Sequence, residues 1–325
     1  MGPNILRKPI IITSQSDADK LSGCLEIFGD ILLQGDSLTI ITLNSVRTIY
    51  GSLTAESCSQ LSKISAPALQ SIESTFSLSD LPALTELEFP VLGNVVFSRR
   101  LKNLNWDALP RLENLVFNSS VYADNITISN TGLARIDFLS FRGYIGGQSY
   151  TDTVRIINNP LLNKVDLRNI TGIKLLEITN NGRFLNIDLP ALVLAGTVIF
   201  GNAVNISVPS LSRVSNSLLL SDNKSGVFSA PDLTQIGYQT ETQGNLTVSG
   251  NWWVDFSAPQ LQTVRGSLRV QDNPKLQTLF LPRLNRLGYA ADNQLNVSNN
   301  SAMYSVYLPD LRVITYASVT GNFSR

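Results

Sequence analysis

The sequence predicts an all-β fold, a right-handed parallel β-solenoid with coils of roughly 22 residues. The first observation is a repeat along the 325-residue chain: a short apolar alternation, a turn with Asn or Asp, a second alternation and then Pro-x-Leu. The second is that nine prolines share one slot of this repeat, each with a leucine two positions later. The third is that apolar residues alternate with polar ones, which is the period of a strand with one buried face. The nine prolines are Pro67, Pro90, Pro110, Pro190, Pro209, Pro231, Pro259, Pro282 and Pro309.

Each coil is predicted to begin with a short strand and to close on its Pro-x-Leu segment. In the first strand, side chains such as Leu246 and Val248 alternate with polar residues and face the interior. Strands of one coil pair with the same strands of the next, so each repeat contacts mainly its neighbours. Residues 14–325 are predicted to form a single continuous solenoid with irregular, expanded coils near 96–152, after an N-terminal extension at 1–13.

A ladder of asparagines is predicted at the turn that follows the first strand of each coil. Asparagine tolerates the left-handed backbone conformation and can hydrogen-bond the local backbone, so stacked asparagines can satisfy a turn that every coil repeats. A row of asparagines that binds sugars or ions is the alternative, and the structural interpretation is favoured. The ladder positions are Asn159, Asn181, Asn202, Asn223, Asn251, Asn273 and Asn300.

Three coils carry longer turns that open with Gly-Tyr. Because each turn leaves its coil after the Pro-x-Leu segment, the three are expected to project from a single edge, and long turns of solenoids often form the binding face. Exposed tyrosine suits contact with carbohydrate or protein. Tolerated insertion is the alternative interpretation. The tyrosines of this candidate binding face are Tyr144, Tyr238 and Tyr289.

Trp252 is a further candidate for the binding face. Trp252 and Trp253 follow Asn251, and neighbouring residues of an extended chain point to opposite faces, so one ring is predicted inward and the other outward. An exposed Trp252 could stack on a sugar. A ring that covers the corner of the solenoid is the alternative, and it is favoured.

The charge pattern argues against an enzyme. The chain has 25 Lys plus Arg, 25 Asp plus Glu and no histidine, so it cannot contain Ser-His-Asp, Cys-His or His-Glu-x-x-His sites. Its zero net charge gives no global signal for nucleic acid. Acidic residues such as Glu86, Glu88 and Asp188 are dispersed among outward strand positions. We therefore predict no catalytic residues, no cofactor and no metal.

Asn-x-Ser/Thr sequons indicate an extracellular compartment. Such motifs are acceptors for N-glycans, which could solubilise a chain of which only 15% is charged. Cys24 and Cys58 are the two cysteines, and a disulfide between them is a candidate although they occupy different slots of the repeat. The nine sequons start at Asn118, Asn125, Asn169, Asn205, Asn223, Asn245, Asn296, Asn299 and Asn322.

Two stretches of the chain carry a family resemblance. The string LSGCLEIFGDILL resembles the opening of receptor L-domains, which have leucine-rich-repeat-like coils. The later strings LPALTELEFPVL, FSAPDLTQIG and SVTGNFS resemble the fungal GPI-anchored cell-wall glycoprotein family of the extracellular-mutant and sporulation-specific type, from about Ser14 to the end. The family has an upstream cysteine, a closing cysteine-containing cap and a Ser/Thr-rich stalk; none has a counterpart in this sequence, so the C-terminal cap is expected to be missing.

The resemblance implies a secreted, N-glycosylated protein of the fungal cell wall or outer face of the plasma membrane. Its expected role is non-enzymatic: support of cell-wall organisation and integrity, including the spore wall. The expected partners are wall polysaccharide or wall and surface proteins, with membrane contact only through a GPI anchor in a full-length form. A receptor-like extracellular module that binds protein or glycan ligands is the first alternative, and a carbohydrate-active solenoid enzyme is the second.

Overall fold

The chain folds as a nearly all-β structure of parallel strands, a β-solenoid of about 13 turns with 2% helix. The computed structural model describes residues 8–93, 101–118, 121–139, 152–167, 169–237, 244–288 and 294–321. The all-β solenoid predicted from the repeat is therefore confirmed. The chain divides into two compact units, Met1–Ser140 with Arg155–Leu162 and Phe141–Val154 with Asn163–Arg325.

In the first part of the chain, the described residues form one short helix and fourteen strands. The elements are β1 (Ile10–Ile12), α1 (Gln15–Asp19), β2 (Glu26–Ile27), β3 (Ile31–Leu33), β4 (Ile40–Thr42), β5 (Thr48–Ile49), β6 (Leu53–Glu56), β7 (Lys63–Ser65), β8 (Ser71–Ile72), β9 (Thr75–Ser79), β10 (Glu86–Glu88), β11 (Leu101–Leu109), β12 (Asn114–Val116), β13 (Ala123–Thr131) and β14 (Arg135–Ile136).

The remaining strands repeat the same short pattern. They are β15 (Thr153–Ile157), β16 (Lys164–Asp166), β17 (Gly172–Thr179), β18 (Asn186–Asp188), β19 (Leu194–Gly201), β20 (Asn205–Ser207), β21 (Arg213–Val214), β22 (Leu218–Ser221), β23 (Phe228–Ser229), β24 (Gln235–Ile236), β25 (Leu246–Ser249), β26 (Asp255–Ser257), β27 (Thr263–Val264), β28 (Leu268–Gln271), β29 (Thr278–Phe280), β30 (Arg286–Leu287), β31 (Gln294–Ser298), β32 (Ser305–Tyr307) and β33 (Tyr316–Val319).

The solenoid begins earlier than the sequence predicted. Strand β1 pairs in parallel with β3, with Ile10 opposite Ile31, so residues 10–12 belong to a coil and not to an extension. Helix α1 follows, and its N-cap Ser14 accepts a hydrogen bond from the backbone N–H of Asp17. Hydrogen bonds from Lys20 and Thr13 lower the pKa of Asp17, which stays charged at the helix N-terminus, where negative charge is favourable.

The core of each unit is built by identical slots stacked in register. In the first unit, Leu53, Phe76, Leu104 and Ile126 are successive partners on β6, β9, β11 and β13, and all are buried. Between them lie outward polar residues, which is the alternation expected of a sheet with one buried face. Burying each aliphatic side chain contributes about 1.5–3 kcal/mol. Stacked burial of this kind therefore fixes the coil register.

The second unit repeats this arrangement with smaller side chains. Leu218, Leu246, Leu268 and Leu295 are consecutive partners on β22, β25, β28 and β31, and each is buried. The leucine of every Pro-x-Leu segment in its described coils up to Leu284 is also buried. Within the described part of the chain, no helix has the length and apolar character that a membrane span requires.

Candidate functional site

Six asparagines occupy one inward slot of the turn after the first strand, and all are buried. Asn251 shows the geometry of this ladder. Its Oδ1 accepts from the backbone N–H of Asn223 at 3.0 Å and from Asn223 Nδ2 at 2.8 Å, while its Nδ2 donates to the carbonyl of Leu220 at 2.9 Å. The ladder residues are Asn159, Asn181, Asn223, Asn251, Asn273 and Asn300.

The same contacts continue towards the C-terminus. The Oδ1 of Asn273 accepts from the backbone N–H and the Nδ2 of Asn251 at 2.8 and 3.1 Å, and Asn300 repeats this towards Asn273 at 3.0 Å for both bonds. These amides are fully engaged inside the fold, where no sugar or ion can reach them. The geometry therefore supports the structural interpretation of the ladder.

One predicted ladder position, Asn202, is wrong by one residue. The inward slot of that coil holds Ala203, which is buried and donates its backbone N–H to Asn223 Oδ1 at 3.0 Å. Asn202 precedes it and has a φ of 63°, in the left-handed region. The coil therefore divides the two tasks that the sequence interpretation gave to one residue: left-handed backbone at one position and the buried amide at the next. The left-handed position is held elsewhere by Asn158, Asn180, Asp222, Gly250, Asp272 and Asn299.

The sequons differ sharply in accessibility. Asn223 is contradicted as a glycan acceptor because its side chain is fully buried and its Nδ2 donates to Asn251 Oδ1. Asn118, Asn169, Asn205 and Asn299 are exposed. Asn125, Asn245 and Asn296 are half-buried on outward strand or strand-edge positions, and Asn322 lies outside the described residues.

The tyrosines of the predicted shared face, Tyr144, Tyr238 and Tyr289, all lie outside the described residues. The shared face of long turns therefore stays a prediction. For the tryptophan pair, the prediction of one inward and one outward ring is confirmed, since Trp253 is buried and Trp252 is 50% exposed.

The two cysteines are not linked. Cys58 is buried in the slot that the ladder uses, with its Sγ 3.6 Å from the carbonyl oxygen of Leu33, and Cys24 is half-buried at the end of the turn after α1. Both thiols are free in the structure, and the disulfide stays a prediction. Burial raises the pKa of the Cys58 thiol, which keeps it protonated and unreactive.

Two acidic residues lie at alternate positions of β10, on either side of the buried Leu87. Lys63 Nζ lies 2.8 Å from Glu86 Oε1 and 2.8 Å from Glu88 Oε2. The hydrogen bond from Lys63 lowers the pKa of Glu88, and the two carboxylates raise the pKa of Lys63. A general acid needs a carboxyl that holds its proton near neutral pH, which is the opposite shift. This cluster is an ion-pair network on the surface.

A second pair of carboxylates lies in a shallow cavity of about 510 Å³ in the second unit. Asp166 and Asp188 are register partners on β16 and β18, so the coils bring together two acids that the sequence interpretation treated as dispersed. Asp188 is exposed to solvent. Among the described residues, no group of three or more Cys, Asp and Glu side chains is placed to hold a metal ion. The cavity is lined by Asn163, Lys164, Val165, Asp166, Asn186 and Asp188.

An exposed aromatic surface in the second unit was not predicted as a group. Phe280 and Tyr307 occupy the outward slot two residues before the repeat prolines, and their rings stack with centroids 5.2 Å apart and an interplanar angle of 9°. Aromatic residues at that outward slot were the signal in the sequence. Beside them, on the same strands or their leading corner, are three more exposed side chains. We call the group the aromatic face; it comprises Trp252, Val254, Phe280, Tyr304 and Tyr307.

Comparison with known proteins identifies relatives from fungi. No family model matches the chain. The chain is 35% identical over 263 residues to Protein ecm33 of Aspergillus fumigatus, covering 80% of this chain and 61% of that protein. It is 25% identical to Cell wall protein ecm33 of Schizosaccharomyces pombe, covering 70% of this chain and 52% of the relative. With Sporulation-specific protein 22 of Saccharomyces cerevisiae, identity is 26%, covering 86% and 58% of the two chains. The chain thus spans between half and two thirds of these relatives.

Proposed function

The chain matches the fungal Ecm33 family, and from this premise we propose that it is a non-enzymatic cell-wall glycoprotein that supports the organisation and integrity of the wall, including the spore wall. Relatives that share the match are named cell wall proteins and sporulation-specific proteins. The proposed location is extracellular, in the fungal cell wall or at the outer face of the plasma membrane. A further relative, from Arthroderma benhamiae, is named Cell surface GPI-anchored protein, which supports attachment of the full-length form through such an anchor.

The observation that carries this proposal is the match along the repeats, which includes 80% of the chain for the Aspergillus relative. The repeats assign most inward positions to a stacked core and the turn after the first strand in six coils to the asparagine ladder. Glu86 and Glu88 are paired with Lys63, and Asp188 is exposed beside the half-buried Asp166, which favours surface charge over acid catalysis. This is the arrangement of a scaffold.

The proposed surface is polar, uncharged and decorated with sugars. Asn169, Asn205 and Asn299 are exposed sequons, and glycans there would supply the solubility that sparse charge does not. The proposed partners are wall polysaccharide or other wall and surface proteins, and nucleic acid is not among them. A receptor-like binding module is the second candidate, and the aromatic face is the observation that favours it.

Deletion of the gene in its own host tests the proposal. We expect the deletion strain to become hypersensitive to agents that stress the wall, and a plasmid copy to restore growth. The plasmid copy can also carry Asn251→Ala, which removes a buried rung of the ladder. Its matched control is a copy with Asn296→Ala, a change at an outward strand position. Normal growth and normal spores under wall stress in the deletion strain would refute a role in wall integrity.

A further inference from the structure

We propose that the aromatic face of the second unit binds a chain of β-linked pyranose sugars, the shared chemistry of β-glucan and chitin. The inference rests on the proposed wall function and names the partner and the surface that receives it. It concerns the sheet formed by β26, β29 and β32 together with the corner that leads into β26.

The rings stand on a rigid sheet. Ser257, Phe280 and Tyr307 are register partners on β26, β29 and β32, and the residues one position earlier are inward. Because the pleat alternates, the stacked Phe280 and Tyr307 rings must point outward. Phe280 is 38% exposed and Tyr307 is 47% exposed, so each keeps apolar surface in contact with solvent.

The corner beside the sheet is held by a buried aromatic cluster. Trp253 packs against Phe228 and Phe256 with ring centroids 6.0 and 6.2 Å apart. This inward ring fixes the backbone on both sides of it, and its neighbours Trp252 and Val254 are each half exposed. A surface that is already ordered loses little conformational entropy when a ligand binds, so more of the contact energy appears as affinity.

Most polar groups on the strands that carry the rings are neutral. Among the residues of β26, β29 and β32, Asp255 is the one charged side chain, and Thr278 and Ser305 supply hydroxyls at outward positions. Glucose and N-acetylglucosamine in β-linked chains carry equatorial substituents, so both faces of each ring present apolar C–H groups that can stack on aromatic side chains. A surface that combines rings with neutral hydrogen-bonding groups suits such a neutral polymer better than an ionic partner.

The strands β26, β29 and β32 carry no acceptor for the chain's own glycans. Between the sequons at Asn245 and Asn296 the sequence contains no further sequon, and this interval includes β26 and β29. Asn245 and Asn296 lie at or on β25 and β31, which belong to a different sheet. An attached glycan would cover exposed rings, so the absence of sequons from β26 and β29 leaves Phe280 free for a ligand; the sequon at Asn299 lies five residues before Tyr304, outside these two strands.

Sedimentation with insoluble polysaccharide tests the inference with the complete chain. The probes are curdlan, a linear β-1,3-glucan, and chitin particles, with yeast α-mannan coupled to beads as the discriminating probe. We expect the chain to sediment with curdlan, with chitin or with both, and the two arms identify which source supplies the ligand. We expect no retention on α-mannan, because the axial hydroxyl of mannose interrupts the apolar ring face.

Variants locate the binding surface. Trp252→Ala and Phe280→Ala are each expected to weaken binding about 3- to 10-fold, as loss of one aromatic stacking contact predicts. Phe184→Ala is the matched control: this ring is 63% exposed in the same unit but lies outside the aromatic face, so binding should not change. Circular dichroism checks that each variant folds, and Trp252→Phe, which keeps a ring, should retain most of the affinity.

Three results would overturn the inference. The first is no retention of the parent chain on either polysaccharide. The second is that Trp252→Ala and Phe280→Ala bind as tightly as the parent chain, and the third is that Phe184→Ala weakens binding as much as they do. Retention on isolated walls that disappears after protease treatment but survives glucanase and chitinase would also overturn it, in favour of a protein partner. These outcomes are independent of the deletion phenotype. A wall defect without polysaccharide binding would leave the proposed function standing and remove this inference alone.

Discussion

Replacing Asn251 by alanine should destabilise the second unit severely. The side chain is fully buried and makes four hydrogen bonds: it accepts two from Asn223 and donates to Leu220 and Asn273. Alanine leaves the Asn223 N–H and the Leu220 carbonyl without these partners in a dry interior. With about 1 kcal/mol per bond and a further cost for unsatisfied buried groups, we expect a loss of about 3–5 kcal/mol in the free energy of unfolding.

The measurement is equilibrium unfolding in urea, followed by circular dichroism, with hydrogen exchange at the Asn223 amide as a local reporter. Opening of the rung should accelerate exchange at that amide before the unit unfolds globally, because repeat proteins lose structure in local steps. Asn296→Ala is the control; this residue is half-buried on the outward side of β31, and its replacement should change stability by less than about 0.5 kcal/mol. A loss below about 1 kcal/mol in the free energy of unfolding for Asn251→Ala would refute the claim that the hydrogen-bonded amides of the ladder stabilise the second unit.

The ladder also predicts strong coupling between its rungs. Leu81 and Leu109 are buried in the corresponding turns of the first unit, so leucine is compatible with this slot. Replacing Asn223, Asn251 and Asn273 together by leucine removes both partners of the two bonds between their amides, which costs less at those bonds than stranding one partner. We therefore expect the triple variant to lose clearly less stability than the sum of the three single variants. Additive losses would contradict the mutual satisfaction of these amides.

Three further predictions concern other parts of the fold. Gly226→Ala should cost about 2–4 kcal/mol in urea unfolding, since an added Cβ would lie 2.0 Å from a carbonyl oxygen of the preceding coil and the coils would have to separate. Peptide mapping of secreted protein should find Asn299 accessible to glycosylation and Asn223 unmodified; a glycan on Asn223 in folded protein would contradict the buried ladder. Glu88 has its pKa lowered in the folded chain, so its stabilising effect is present above its ordinary value of 4.5 and is lost as pH falls through the lower, folded value. Glu88→Gln should therefore flatten stability against pH in that acidic range, and an unchanged acid slope would contradict the ion pair.

The coil architecture was predictable because every coil repeats the same constraint. A single Pro-x-Leu match means little, but nine in one slot specify a period, and alternation about Leu246 and Val248 identifies strands. The start was misjudged because β1 lacks a Pro-x-Leu segment before it, and only pairing of Ile10 with Ile31 reveals that it belongs to a coil. Sequence periodicity identifies the internal repeats well, but it does not identify the first coil.

Two features of the candidate site could be identified only from the three-dimensional register of the coils. The length of each coil varies, so sequence alone could not decide whether Asn202 or Ala203 fills the ladder slot; the answer depends on which residue takes left-handed backbone. The aromatic face was missed for a related reason. Phe280 and Tyr307 are 27 positions apart, and they stack only because a longer coil still returns to the same slot.

Stacking in register also explains why so few residues are charged. Identical slots of neighbouring coils lie about 4.8 Å apart, where like charges repel and side chains that can both donate and accept form ladders. Ser71 donates to Thr48 at 3.3 Å in this way, and Asn125 donates to Asn103 at 3.2 Å. Lys63 on β7 faces Glu86 on β10, so opposite signs meet at that slot, whereas Asp166 and Asp188 are register partners of like charge. A charge content of 15% follows from this geometry, since repeating one slot many times selects for groups that can lie beside copies of themselves. Solubility must then come from groups that stand outside the register, which is the position that glycans on Asn169 and Asn299 would occupy.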